Sequence, residues 1–78
     1  MKTMFLHLDK VMDVKDLVEI TNRIPCNVYI QRGEYVIDAK SLMGIFSLDL
    51  TKPLYLISDK ELSDEICEEL NKFRIEGD

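Results

Sequence analysis

The sequence predicts an α+β domain: a four-stranded antiparallel sheet with three helices on one face, in the order β-α-β-β-α-β-α. Three observations predict it. Four short runs read as strands, the first with the period of two that a half-buried strand requires. Three other segments carry helical patterning, the first with apolar residues at i, i+3, i+4 and i+7, the stripe of an amphipathic helix. These segments interleave without linker, repeat or low-complexity stretch, so one sheet must cover the stripes of all the helices.

The elements follow in order. Met4, Leu6 and Leu8 alternate with Phe5 and His7, which makes the first strand. Val14, Leu17, Val18 and Thr21 form the stripe of the first helix, with Ile20 and Ile24 beside it. Asp13 reads as its N-cap, and Asp16, three residues on, as the acid of a capping box. Pro25 stops the helix, because the residue before proline avoids the helical region. Asn27–Gln31 and Tyr35–Asp38 are the strands of a hairpin around the turn Arg32-Gly33-Glu34. Ser41 caps a short second helix within Lys40–Leu50, and Lys52-Pro53 ends that segment. Leu54–Ile57 is the fourth strand. Leu62, Ile66, Leu70 and Phe73 line the last helix, with Cys67 alongside and Gly77 past its end. Either Ser58, boxed with Glu61, or Ser63 serves as its cap.

The 78 residues are one domain, 1–78, with 46% hydrophobic and 32% charged residues, the balance of an ordinary globular chain. No apolar run approaches the roughly 20 residues that cross a bilayer. The N-terminal stretch turns polar at Asp9, too soon for a signal peptide, so the expected location is the cytoplasm. The net charge of -5 argues against nucleic-acid binding, which relies on Lys and Arg to neutralise phosphates. The late run of acids from Asp59 to Asp78 reads as a solvated face. Cys26 and Cys67 show no CxxC spacing and read as buried reduced thiols. With one histidine, a His-rich metal site is not available. There is no Gly-rich phosphate loop, no GxSxG elbow and no Cys/His pair at a telling spacing. The chain is therefore expected to be neither an enzyme nor a cofactor carrier.

The segment "KSLMGIFSLDL" holds the candidate site. Wound at about 100° per residue, it shows two apolar stripes instead of one. Ser41, Gly44, Ile45 and Leu48 share one side; Leu42, Met43, Phe46 and Leu50 share the other. One side can face the core, which leaves the other to be explained. Ser41 is a helix-starting hydroxyl beside Lys40 at the rim of that second stripe. It serves as a plain N-cap or as a phosphorylation site that would place roughly two negative charges there.

This segment, Lys40-Ser41-Leu42-Met43-Gly44 followed by Ile45 and Ser47-Leu48, resembles the regulatory site of HPr, the histidine-containing phosphocarrier of the bacterial sugar phosphotransferase system. The order of elements matches that family too. The resemblance implies an open-faced β-sandwich and a cytoplasmic protein that is not itself an enzyme. It makes Ser41 the target of HPr kinase/phosphorylase. It makes Leu42, Met43 and Phe46, with Lys40, the docking residues for enzyme I or a catabolite-control repressor.

The departures are as informative. The family's carrier histidine stands at the N-terminus of the first helix, in a Gly-x-His-x-Arg-Pro setting. Alignment over Val11–Asp16 puts Asp13 at the histidine position and Lys15 at the arginine position. The resemblance then implies a divergent member without its carrier histidine, a regulatory or binding module in carbon catabolite control. The alternative is a plain interaction domain, or a homodimer, that uses the Leu42/Met43/Phe46 patch without phosphorylation.

Overall fold

The elements β1 (Lys2–Leu6), α1 (Val11–Asn22), β2 (Val28–Arg32), β3 (Tyr35–Asp38), α2 (Leu42–Phe46), β4 (Leu54–Ser58) and α3 (Asp64–Leu70) follow the predicted order. A 3-10 turn, Asn71–Phe73, extends α3. The computed structural model describes residues 2–75, and the helix-ending Gly77 lies outside them.

The strands form one antiparallel sheet in the order β1-β4-β2-β3. β1 pairs with β4 from Lys2↔Ser58 to Leu6↔Leu54, and β4 pairs with β2 from Val28↔Ser58 to Gln31↔Tyr55. Alternation then sorts the strands. Met4, Leu6, Val28, Ile30, Leu54 and Leu56 are buried on one face, against Val14, Leu17, Ile20, Ile45, Ile66 and Leu70 of the helices. The opposite face is open and carries Phe5 and Tyr55, whose rings lie 4.8 Å apart.

The hairpin turns at Gly33 with φ of 60°. No other described residue has a positive φ, so the two-residue turn has glycine in the first central position, the type II′ pattern. At the far edge, the chain after α3 returns to β1. His7 N–H donates to Phe73 O at 2.9 Å, and Ile75 N–H to Phe5 O at 3.0 Å.

Three hydrogen bonds clasp the end of α1 to the turn that precedes α2. The hydroxyl of Thr21, fully buried, donates to Ala39 O at 2.7 Å. Asn22 Nδ2 donates to Lys40 O at 3.3 Å. Lys40 Nζ donates to Ile24 O at 2.8 Å, so its cation sits where the carbonyls of α1 run out. One residue past α1, Arg23 grips Glu69 of α3 with both guanidinium nitrogens, at 2.9 and 2.6 Å.

Some expectations are corrected. α1 begins at Val11 with Lys10 as N-cap, so Asp13 is its third residue and not its cap. The Asp13 carboxylate reaches back and accepts from Asp9 N–H at 2.8 Å and Lys10 N–H at 3.2 Å, the acid's half of a capping box. Asp16 plays no part in that box; it faces Lys72 Nζ at 3.6 Å. β1 ends at Leu6, so His7 lies beyond the strand, half-buried, with Nδ1 2.9 Å from Asp9 Oδ1. Ser63 is the cap of α3 and accepts from Ile66 N–H at 3.2 Å. Ser58 is buried at the end of β4 and donates to Lys60 O at 2.7 Å. Cys26 and Cys67 are free thiols but only half-buried, packed on the margin of the core.

Replacing Thr21 by Val keeps the shape but leaves Ala39 O without its buried donor. The expected cost is about 1–3 kcal/mol, seen as a lower urea midpoint at unchanged slope. The Glu69 carboxyl is held below the ordinary carboxylate range, chiefly by its hydrogen bond from Arg23 and then by that cation's charge. A depressed folded value means stability that is present above the unfolded value, about 4.3 for Glu, and lost as pH falls through the folded one. Denaturation midpoints taken from neutral to strongly acidic pH should therefore fall more steeply in the parent chain than in Glu69→Gln.

Candidate functional site

The segment from Asp38 to Ser47 builds the site. Asp38 ends β3 and turns the chain: its Oδ1 accepts from Lys40 N–H at 2.9 Å, and its carbonyl accepts from Ser41 N–H at 3.1 Å. That turn delivers Ser41 in an extended conformation, ready to cap. Its Oγ accepts from Gly44 N–H at 3.1 Å, and its carbonyl accepts from Ile45 N–H at 3.1 Å. Gly44 permits this closeness. A Cβ there would come within 3.1 Å of Ser41 Oγ. Ser47 closes the other end, its Oγ donating to Gly44 O at 2.6 Å.

The helix is five residues long, so it can bury little. Ile45 is wholly buried, while Leu42 and Phe46 are exposed and Met43 is 84% exposed. The exposure of Leu42, Met43 and Phe46 agrees with the two-stripe reading. Leu50 departs from it and packs against the core, as does Leu48. α2 stops at Phe46, so the 100° wheel does not reach Leu50. Ser41 stands half-buried at the rim of the patch. Lys40 is beside it, but its ammonium is turned to Ile24 O.

No protein-family model matches the sequence, and neither does any curated protein. Solved structures do match. HPr-C-His from Thermoanaerobacter tengcongensis superposes with a TM-score of 0.75 at 18% identity, over 92% of this chain and 89% of that one. The phosphocarrier protein HPr from Bacillus anthracis str. Ames gives 0.64 at 21% identity, over 95% and 94%. The chain has the HPr fold.

In this HPr fold the start of α1 lies next to α2. Val11 and Phe46 line one open depression of about 560 Å³, together with His7, Asp9 and Lys10. Val11 and Met12 are both exposed, so the start of α1 carries apolar surface of its own. The sequence reading missed these two, although both are apolar and off the Val14–Leu17–Thr21 stripe. Lys10 is the residue at the N-terminus of α1; Asp13 and Lys15 lie inside its first turns. Asp13 spends its carboxylate on the backbone before the helix, and Lys15 is exposed. Among the described residues, no group of His, Cys, Asp and Glu could hold a metal ion.

The cap is testable by itself. Ser41→Ala removes the acceptor for Gly44 N–H and should cost about 1 kcal/mol, lowering Tm by about 4–8 °C in a domain of this size. Ser41→Asp should keep most of that stability, since Asp caps as well as Ser. Thermal unfolding of the two variants beside the parent decides the point.

Proposed function

We propose that this protein is a regulatory or binding module of the phosphoenolpyruvate-dependent sugar phosphotransferase system, switched by phosphorylation of Ser41, and not an active phosphocarrier. The observation that carries the reading is the position of Ser41, a capping hydroxyl at the rim of an exposed apolar patch in a chain of HPr fold. Phosphorylation would join the Ser41 oxygen to the γ-phosphorus of ATP and release ADP. The patch would then be bordered by about two negative charges. A partner docking on Leu42, Met43 and Phe46, with Lys40 beside them, would meet repulsion or a new charged contact according to its own surface.

The other half of the reading concerns the carrier role. HPr-type transfer needs an imidazole at the N-terminus of the first helix. Lys10 stands at that point here, and Asp13 and Lys15 follow it. His7 is the chain's one histidine and precedes the helix, its Nδ1 facing Asp9. Lysine also lacks the planar fork with which arginine grips a phosphate. The partners expected are an HPr kinase/phosphorylase and either enzyme I or a catabolite-control repressor.

Incubation with HPr kinase/phosphorylase and ATP should add one phosphoryl group by intact mass, and Ser41→Ala should add none. An unmodified parent chain would refute the switch. Incubation with enzyme I and phosphoenolpyruvate should leave the mass unchanged; an acid-labile phosphate there would restore the carrier role.

A further inference from the structure

The two edges of the sheet differ. The edge at β1 is covered by the chain after α3, through Phe73, Arg74 and Ile75. The edge at β3 is bare. It has neither a proline nor a lysine in Tyr35–Asp38, the usual guards of an exposed edge. Tyr35 and Val36 are among the most exposed large hydrophobic residues of the chain.

The register shows which backbone groups this edge presents. The two-residue turn makes Arg32↔Tyr35 a hydrogen-bonded pair, and alternation makes Ile30↔Ile37 the next. Ala39 N–H donating to Val28 O continues the same phase. Val36 and Asp38 therefore turn their backbone groups away from β2. The carbonyl of Asp38 is taken by Ser41 N–H. What remains is Val36 N–H, Val36 C=O and Asp38 N–H, a row of donor, acceptor and donor facing solvent.

Beside this edge, on the helix side, lies an open depression of about 510 Å³ over Tyr35, Ile37 and Leu48, with Arg32, Glu34 and Asp49 around it. A strand added next to β3 would set alternate side chains into this depression and the rest beside Val36, which is how strand addition gains specificity.

Charge decides the occupant. Glu34 and Asp38 bracket the edge, one at each end. A second copy of this chain fits poorly. Paired antiparallel about Val36, each copy would set Glu34 opposite Asp38 of the other, and like charges directly opposite destabilise a sheet. The neighbouring register would need Asp38 C=O, already engaged. The net charge of -5 adds to the repulsion.

We infer that the β3 edge is a docking site for an extended polypeptide segment with β-forming residues at its centre and Lys or Arg at both ends. The central residue exchanges hydrogen bonds with Val36. Its two neighbours lie over Tyr35, Ile37 and Leu48. The basic ends come level with Glu34 and Asp38. This site is separate from the Ser41 patch and does not depend on phosphorylation.

The test is a titration of the isotopically labelled full chain with acetyl-Lys-Val-Thr-Val-Lys-amide, followed by backbone amide resonances. Saturable shifts centred on Val36 and Asp38 are expected. Acetyl-Glu-Val-Thr-Val-Glu-amide should bind about tenfold more weakly, and Glu34→Lys should narrow or reverse that preference. Val36→Pro, which removes the edge donor, should weaken binding of the lysine peptide by about tenfold. Glu34 lies in the exposed turn, so the charge variant decides the matter even where the proline variant fails to fold. The inference is overturned by equal binding of both peptides, by no shifts with either, or by shifts centred on α2. It is also overturned if the Val36 amide moves with protein concentration alone, which would give the edge to a second copy.

Discussion

A buried hydroxyl sets the place of α2. Thr21 on α1 holds Ala39 O, and Lys40 reaches back to the end of the same helix. Between them these contacts fix the turn that delivers Ser41. A helix of five residues has too few internal hydrogen bonds to persist alone in water. It is kept here by a side-chain cap at each end, by Ile45 beneath, and by the clasp that aims it. The exposed patch follows from the same economy of length. With one and a half turns, α2 can put a single side chain fully under cover, and Leu42, Met43 and Phe46 are left outside.

Much of this was legible in the sequence, for physical reasons that differ by element. The hairpin was clear because glycine at the turn and β-forming residues on both sides say the same thing. The core face of α1 was clear because Val14, Leu17 and Thr21 repeat at helical spacing. The start of α1 was misplaced because an acid in the third helical position and an acid at the cap leave almost the same trace. Leu50 was misplaced because a helical wheel has no way to know where its helix stops. Nothing local marks the Thr21–Ala39 bond or the Arg23–Glu69 grip, since each joins residues far apart in the chain. In the candidate site, Ser41 and its three apolar neighbours were found from spacing and resemblance. Val11 needed the packing of α1 beside α2 to bring it to the same depression as Phe46.

The molecule offers two surfaces of different chemistry. The α2 surface presents side chains, soft and apolar, with a capping hydroxyl at the border. The β3 edge presents main chain, with Val36 offering one donor and one acceptor between two carboxylates. The first suits a partner chosen by shape and charge, the second a partner able to extend. They lie on either side of Ile37, whose side chain reaches toward Gly44.

The strand order carries one more consequence. Among the described residues β1 is the first strand in chain order, yet it pairs with β4, the last of them. During synthesis the β2–β3 hairpin can close by itself, while Met4 and Leu6 have no sheet to join until Leu54 and Leu56 have emerged. The centre of the sheet is thus assembled late, once β4 has emerged to pair with both β1 and β2. Such long-range pairing slows folding relative to local contacts, so a growing chain of this fold holds its first hydrophobic strand unpaired until β4 has been made.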